Sequence, residues 1–227
     1  MKAVVRGTAV AAALVLALTG CEESAPAAGS GKASAAPGEA RPGADAGVET
    51  GADAPKIAWL DPTGLLHALP VESEVSDVMT GGEPFMVQGP EAVKHCAEEA
   101  GVACTGLVGV SGKDMEVRGD ADDGRVEFRL YSFGTKEQAE TAMKGLGAEE
   151  RTSLAEAGKQ PKPLALVTVA DETDAFAGEA AADVLLRIGT VVAHIDVNDT
   201  DPAGLEHVSN IQVERVRTVA AGKNPGF

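Results

Sequence analysis

The chain has 227 residues, 35 of them acidic and 19 basic, for a formal charge of −16. Such a surface repels phosphate backbones and anionic lipid heads, which argues against nucleic acid as a partner. Aromatic residues make up only 3%, too few for platforms that stack sugars or bases, so the core is expected to be Val, Leu, Ile and Ala.

Lys2 and Arg6 supply a positive start, residues 9–18 are an uncharged apolar run, and small residues lead into Cys21. That is the pattern of a secretory signal peptide over residues 1–20. Leu18-Thr19-Gly20-Cys21 resembles the lipobox of bacterial lipoproteins, which implies cleavage before Cys21 and acyl chains, such as palmitate, on its thiol. The apolar run is well short of the ~20 residues that span a bilayer. Lipid at Cys21 is thus the expected link to the membrane, on its extracytoplasmic face, and two or three acyl chains make it close to permanent. Cleavage removes two basic residues and no acids.

Residues 21–55 are almost wholly Ala, Gly, Pro, Ser and acids, with Val48 the one aliphatic larger than Ala. Nothing there buries enough surface to offset ordering entropy, so a disordered stalk is expected. Residues 56–227 then have the length of one ordinary domain. Asp61-Pro62 reads as a helix start, with Leu65, Leu66 and Leu69 before Pro70. Val75 and Val78 suit a helix, and Phe85-Met86-Val87 a short strand. Residues 90–100 read as a helix with Gly101 beyond its end. Strand material follows at 107–110 and 115–118, separated by a turn through Ser111 and Gly112.

In residues 125–133, Val126, Phe128 and Leu130 point one way and Glu127 and Arg129 the other. Thr135 and Gln138 form a capping box ahead of Ala139, Ala142, Met143 and Leu146 at helical spacing. A second helical stretch is expected from about 149 to 157, ended by Gly158 and Pro161, and a strand over 164–169. Residues 182–188 and 191–198 form a hairpin turned at Gly189-Thr190, a type II′ signal. Its register pairs Ile188 with Val191, Leu186 with Ala193 and Val184 with Ile195, apolar throughout. The other face pairs Arg187 with Val192 and Leu185 with His194, and is expected to be wet. Asp201-Pro202 caps a last helix running to about Ala220, with Leu205, Val208, Val216 and Val219 on one face. The expected class is α+β, a largely antiparallel sheet with helices packed on one face.

Chemical motifs are sparse. Cys96 and Cys104, eight positions apart, read as a disulfide in an oxidising compartment. A zinc site of His95, Cys96 and Cys104 lacks a fourth local ligand and the C-x-x-C spacing. Gly109-Val110-Ser111-Gly112 fails as a nucleophile elbow because Lys113 stands where glycine is needed. The acids of 120–124 fail the calcium-loop spacing, and those of 198–201 read more simply as a turn and cap. His67, His95, His194 and His207 show no metal spacing, although an exposed His194 would titrate near neutrality. No catalytic residue, cofactor or metal is expected.

Tyr131-Ser132-Phe133 with its alanine-bearing helix, Asp174-Ala175-Phe176-Ala177-Gly178, the run 184–192 with its Arg-x-Gly-x-Val-Val signature, and Glu214-Arg215-Val216 resemble one group of domains. These are actinobacterial sensor-like domains of lipoproteins and of receptor serine/threonine kinases. The resemblance spans residues 105–220. It implies a one-domain α+β fold with a cleft for an extracellular ligand and no set of catalytic residues. Unlike the kinase members, the chain shows neither a transmembrane helix nor a kinase domain, and has one expected disulfide. The expected function is a non-catalytic module binding a small molecule or an envelope protein, at a face holding Arg187, Val192 and His194. The alternatives are an envelope hydrolase using His194 and nearby acids, and a purely structural assembly partner.

Overall fold

Period-2 and period-3.6 patterns divide the domain into eight strands and five helices, described in a computed structural model over residues 60–75, 79–118, 124–198 and 204–226. The expected leader, Cys21, the stalk, the 120–123 acids, Val78 and the Asp201-Pro202 cap lie outside these residues. In chain order the elements are α1 (Pro62–His67), α2 (Glu72–Val75), β1 (Met79–Thr80), β2 (Phe85–Gln88), α3 (Gly89–Ala100) and β3 (Leu107–Val117). Then come β4 (Arg125–Phe133), α4 (Lys136–Glu156), β5 (Lys162–Pro163), β6 (Glu172–Gly178), β7 (Ala181–Ile188), β8 (Val191–Asn198) and α5 (Leu205–Ala220).

The strands form one sheet ordered β1-β3-β4-β8-β7-β6-β5, with β2 also paired to β3. Every pairing is antiparallel. The α+β class and the antiparallel sheet are as expected. The hairpin register also holds, Ile188 opposite Val191 and Val184 opposite Ile195, with Gly189 at φ 61° supplying the left-handed turn residue.

The helices, however, lie on both faces. Val126, Phe128, Leu130, Val184, Leu186, Ile188 and Ile195 pack with Leu65 of α1 and Val208, Val213 and Val216 of α5. The opposite pleat, carrying Tyr131, Phe133, Leu185 and Val192, packs with Ala92 of α3 and Ala139, Met143 and Leu146 of α4. The expected single helical layer fails because alternation was read as one apolar and one wet face. Here both pleats of the central strands are covered, and all of β7 is buried.

Three further expectations change. Residues 111–114 continue β3 without a turn, and Gly112 leaves room for the Phe85 ring. Residues 164–169 form no strand. Instead, Glu206 and Asn210 of α5 accept hydrogen bonds from the amides of Val167 and Val169. The two helical stretches expected around Gly147 are one helix of 21 residues, started by the expected capping box. On α5, Gln212 donates to the Ala68 carbonyl and Arg215 to that of His67, at 2.8 and 2.7 Å, which satisfies the end of α1.

The glycines within α4 permit close packing. A Cβ at Gly145 would lie 2.7 Å from the Ala100 carbonyl oxygen and 2.5 Å from a Val102 methyl. The Cys96–Cys104 disulfide, Cα atoms 6.0 Å apart, joins α3 to the loop carrying that valine. Valine has a better helix propensity than glycine by only a few tenths of a kcal/mol, whereas overpacking costs ~1–3 kcal/mol. Gly145→Val is therefore expected to destabilise the domain by about 2 kcal/mol, read from the urea midpoint at unchanged slope. A neutral or stabilising result would show that α3 and α4 separate freely.

Candidate functional site

The sheet face beneath α3 and α4 carries ionisable residues in register. Asp114 stands opposite Glu127, Glu127 opposite Asp196, and Asp196 opposite Asp183, a row of four carboxylates across β3, β4, β8 and β7. One step along, Gly112, Arg129, His194 and Leu185 form the neighbouring row. Like charges directly opposite one another are destabilising, so this row demands compensation.

Compensation is uneven. At the outer end, Arg129 donates to Asp114 and Glu127, both at 2.7 Å, and Arg125 donates to Asp114 at 2.6 Å with Glu127 2.9 Å away. The guanidinium of Arg129 also lies over the Phe85 ring, 5.0 Å from its centre. Toward the inner end the arginines stop. His194 Nε2 lies 2.9 Å from Asp183 Oδ1, and these side chains are only 6% and 3% exposed. Asn198 donates to Asp196 at 2.9 Å.

Above this pair sits Glu150, carried by α4. The stripe that buries Ala139, Ala142, Met143 and Leu146 reaches Glu150 four residues later, and Leu154 after it packs on the same core. Helix geometry therefore aims a carboxylate at a place built for an apolar side chain. Ligand atoms of Glu150, Asp183 and His194 all lie within 4.8 Å of one another. Nearby, the buried Tyr131 hydroxyl donates to Glu99 of α3 at 2.6 Å. Arg151 pairs with Asp174 and stacks 4.0 Å over Phe176, which holds the C-terminal half of α4 to the sheet.

This enclosure shifts proton affinities. Burial raises Glu150 from an ordinary 4.5 to about 7, opposed by His194 and reinforced by Asp183, Asp196 and Glu99. Asp196 rises from 3.8 to about 6, through burial first and Asp183 next. For His194, burial acts downward, but its hydrogen bond to Asp183 and the nearby carboxylates raise it overall. The site can thus store protons, or a cation in their place.

Of the residues nominated from the sequence, Arg187, Val192 and His194 do share the expected pleat, but α4 covers it and all three are buried. Arg187 is held by Glu172 at 3.0 Å, with Asp171 at 3.5 Å. His95 lies across α3, 3.5 Å from Glu99. Glu150, Asp183 and Asp196 were not nominated. The Asp183–Asp196 juxtaposition follows from the hairpin register, and the 146–150–154 spacing pointed to Glu150 once α4 was continuous. A separate open groove of about 580 Å³ beside α5 is lined by Glu74, His207, Asn210, Glu214, Arg215 and Thr218, among others.

No protein-family model matches the chain, and no curated relative does. Among solved structures, the chain is similar to the extracellular domain of PknH from Mycobacterium tuberculosis, 13% identical, with a TM-score of 0.49 over 70% of this chain and 98% of that one. Among the described residues, no helix is long and apolar enough to cross a membrane.

The shifts have a definite thermodynamic sign. Folding raises the Glu150 and Asp196 values, so the folded chain holds more protons than the unfolded chain between about pH 4 and 7. The penalty is absent below the unfolded values, grows as the pH rises, and levels off above the folded ones. His194 acts with the same sign, since its favourable charged form is lost as the pH rises through its raised value. After discounting for the partial exposure of Glu150, the domain is expected to lose about 2 kcal/mol between pH 4.5 and 7.5. Urea midpoints at both values measure this, and Glu150→Gln flattens the profile. A wild-type profile that rises over this interval would contradict the burial described.

Proposed function

We propose that this chain is a cell-surface lipoprotein, lipid-anchored through Cys21, whose domain is a non-catalytic module binding a small ligand or an envelope protein. The observation that carries the reading is the inner end of the carboxylate row. The hairpin and α4 bring Asp183, His194, Asp196 and Glu150 together where, among the described residues, no arginine or lysine pairs with them. Such a site gains by accepting something from solution, through the half-buried Glu150. The leader pattern and Cys21 support the location, and the Cys96–Cys104 disulfide suits an oxidising compartment.

A second reading, hydrolysis by His194 with nearby acids, draws support from the His194–Asp183 hydrogen bond and from Glu150 near 7. It is the weaker one, because a general base must reach the proton it removes. The Nε2 of His194 is engaged by Asp183, and its side chain is 6% exposed. Among the described residues, the cysteines that could act as nucleophiles are joined to each other.

Two measurements test the proposal. Cys21→Ala is expected to move the protein from the membrane to the soluble fraction and to abolish incorporation of a labelled fatty acid. Retention in the membrane without label would refute the anchor. Native mass spectrometry of protein taken from the envelope is expected to show extra mass, or a bound protein, that is lost on denaturation. Turnover of an envelope substrate that disappears in a folded His194→Ala variant would favour the hydrolase instead.

A further inference from the structure

We propose that Glu150, Asp183 and His194 bind a single divalent transition-metal ion. This rests on the binding reading of the carboxylate cluster and names the class of its ligand.

The geometry is close to that of a metal site before metal enters. Three elements contribute the donors: α4 a carboxylate, β7 a second carboxylate and β8 an imidazole nitrogen. With all three donor atoms within 4.8 Å of one another, a point between them lies at most ~2.8 Å from each. Zinc bonds to nitrogen and carboxylate oxygen are about 2.0–2.2 Å, so closure needs less than ~1 Å of movement. Glu150 is half-buried, on the solvent side of the pair, and can supply it. Asp183 and His194 sit at the centre of a hairpin buried on both sides, as a preorganised site requires. In the metal-free chain a proton bridges Nε2 and Oδ1 across 2.9 Å, and the ion would replace that proton.

The charge points the same way. The outer carboxylates, Asp114 and Glu127, face two arginines. The inner three, Asp183, Asp196 and Glu150, face one imidazole. Among the described residues Glu150 makes no hydrogen bond or ion pair, and Asp196 has Asn198 alone. Fully ionised, the inner cluster carries two negative charges beyond what a protonated His194 neutralises, the charge of a divalent ion. Uncompensated buried carboxylates are costly, and a cation offsets that cost directly. The donor set of two oxygens and one nitrogen suits zinc or its first-row neighbours, whereas calcium takes six to eight oxygens.

The test uses the full chain in detergent, stripped with EDTA, dialysed and titrated calorimetrically with Zn²⁺ and, in parallel, Mg²⁺. One Zn²⁺ per chain is expected, with Mg²⁺ binding far more weakly. His194→Gln is expected to weaken Zn²⁺ binding about 100-fold or more and Glu150→Gln about 10-fold or more, with circular dichroism unchanged. Should His194→Gln fail to fold, Glu150→Gln alters only a half-exposed carboxylate and keeps the test intact. His95→Ala, which removes the separate His95–Glu99 pair on α3, is expected to leave binding unchanged. The assignment is overturned by folded chain that takes up no Zn²⁺, by Zn²⁺ affinity unchanged in Glu150→Gln, or by uptake lost in His95→Ala. Absence of Zn²⁺ binding alongside a retained organic ligand or protein partner would remove the metal and keep the binding module. Absence of all three would remove both.

Discussion

The two-sided burial of the β7–β8 hairpin is the constraint on which the rest of the domain depends. Both strands lie in the middle of the sheet, with α5 against one pleat and α4 against the other. Each large aliphatic side chain enclosed there contributes roughly 1.5–3 kcal/mol, and both pleats contribute. The same enclosure removes water from every polar group on the second pleat. Asp183, Arg187 and His194 must then find partners inside, because an unpaired buried charge costs several kcal/mol. Arg187 does so with Glu172, and His194 with Asp183.

The carboxylate row crossing this face shows how unequal that settlement is. On β4, directly beside the hairpin, Arg125 and Arg129 neutralise Glu127 and, on β3, Asp114. Among the described residues no arginine pairs with Asp183, Asp196 or Glu150, and the local response is proton uptake, with Glu150 and Asp196 held neutral to much higher pH than usual. A residue kept neutral by its surroundings is a position where a positive ion is welcome. The chemistry of the cluster therefore comes from what the sheet leaves uncompensated. Strongly shifted groups converging in one place are a mark of functional sites.

Much of the framework is legible locally. The Thr135 capping box, the α5 stripe, the Gly189 turn with its register, and the Cys96–Cys104 pairing each rest on neighbours close in sequence. Two of the differences turn on glycine. Two helical stretches are expected where α4 is one continuous helix; Gly145 and Gly147 within it let the α3 end and Asp174 approach closely. Ser111 and Gly112 were read as a turn, but Gly112 accommodates the Phe85 ring within a continuous strand. In each case glycine answered a contact from elsewhere in the chain.

What the sequence by itself determined is whatever period, cap and turn chemistry decide: many of the elements, the hairpin register, and hence the facing of Asp183 by Asp196 and of Leu185 by His194. The tertiary structure alone decided that α4 covers that face, that Glu150 completes the cluster, and that His194 is buried and not wet. Alternation states which side chains share a face, but the face's solvent exposure is set by whatever packs on it, and the helix that does so begins nearly sixty residues before His194.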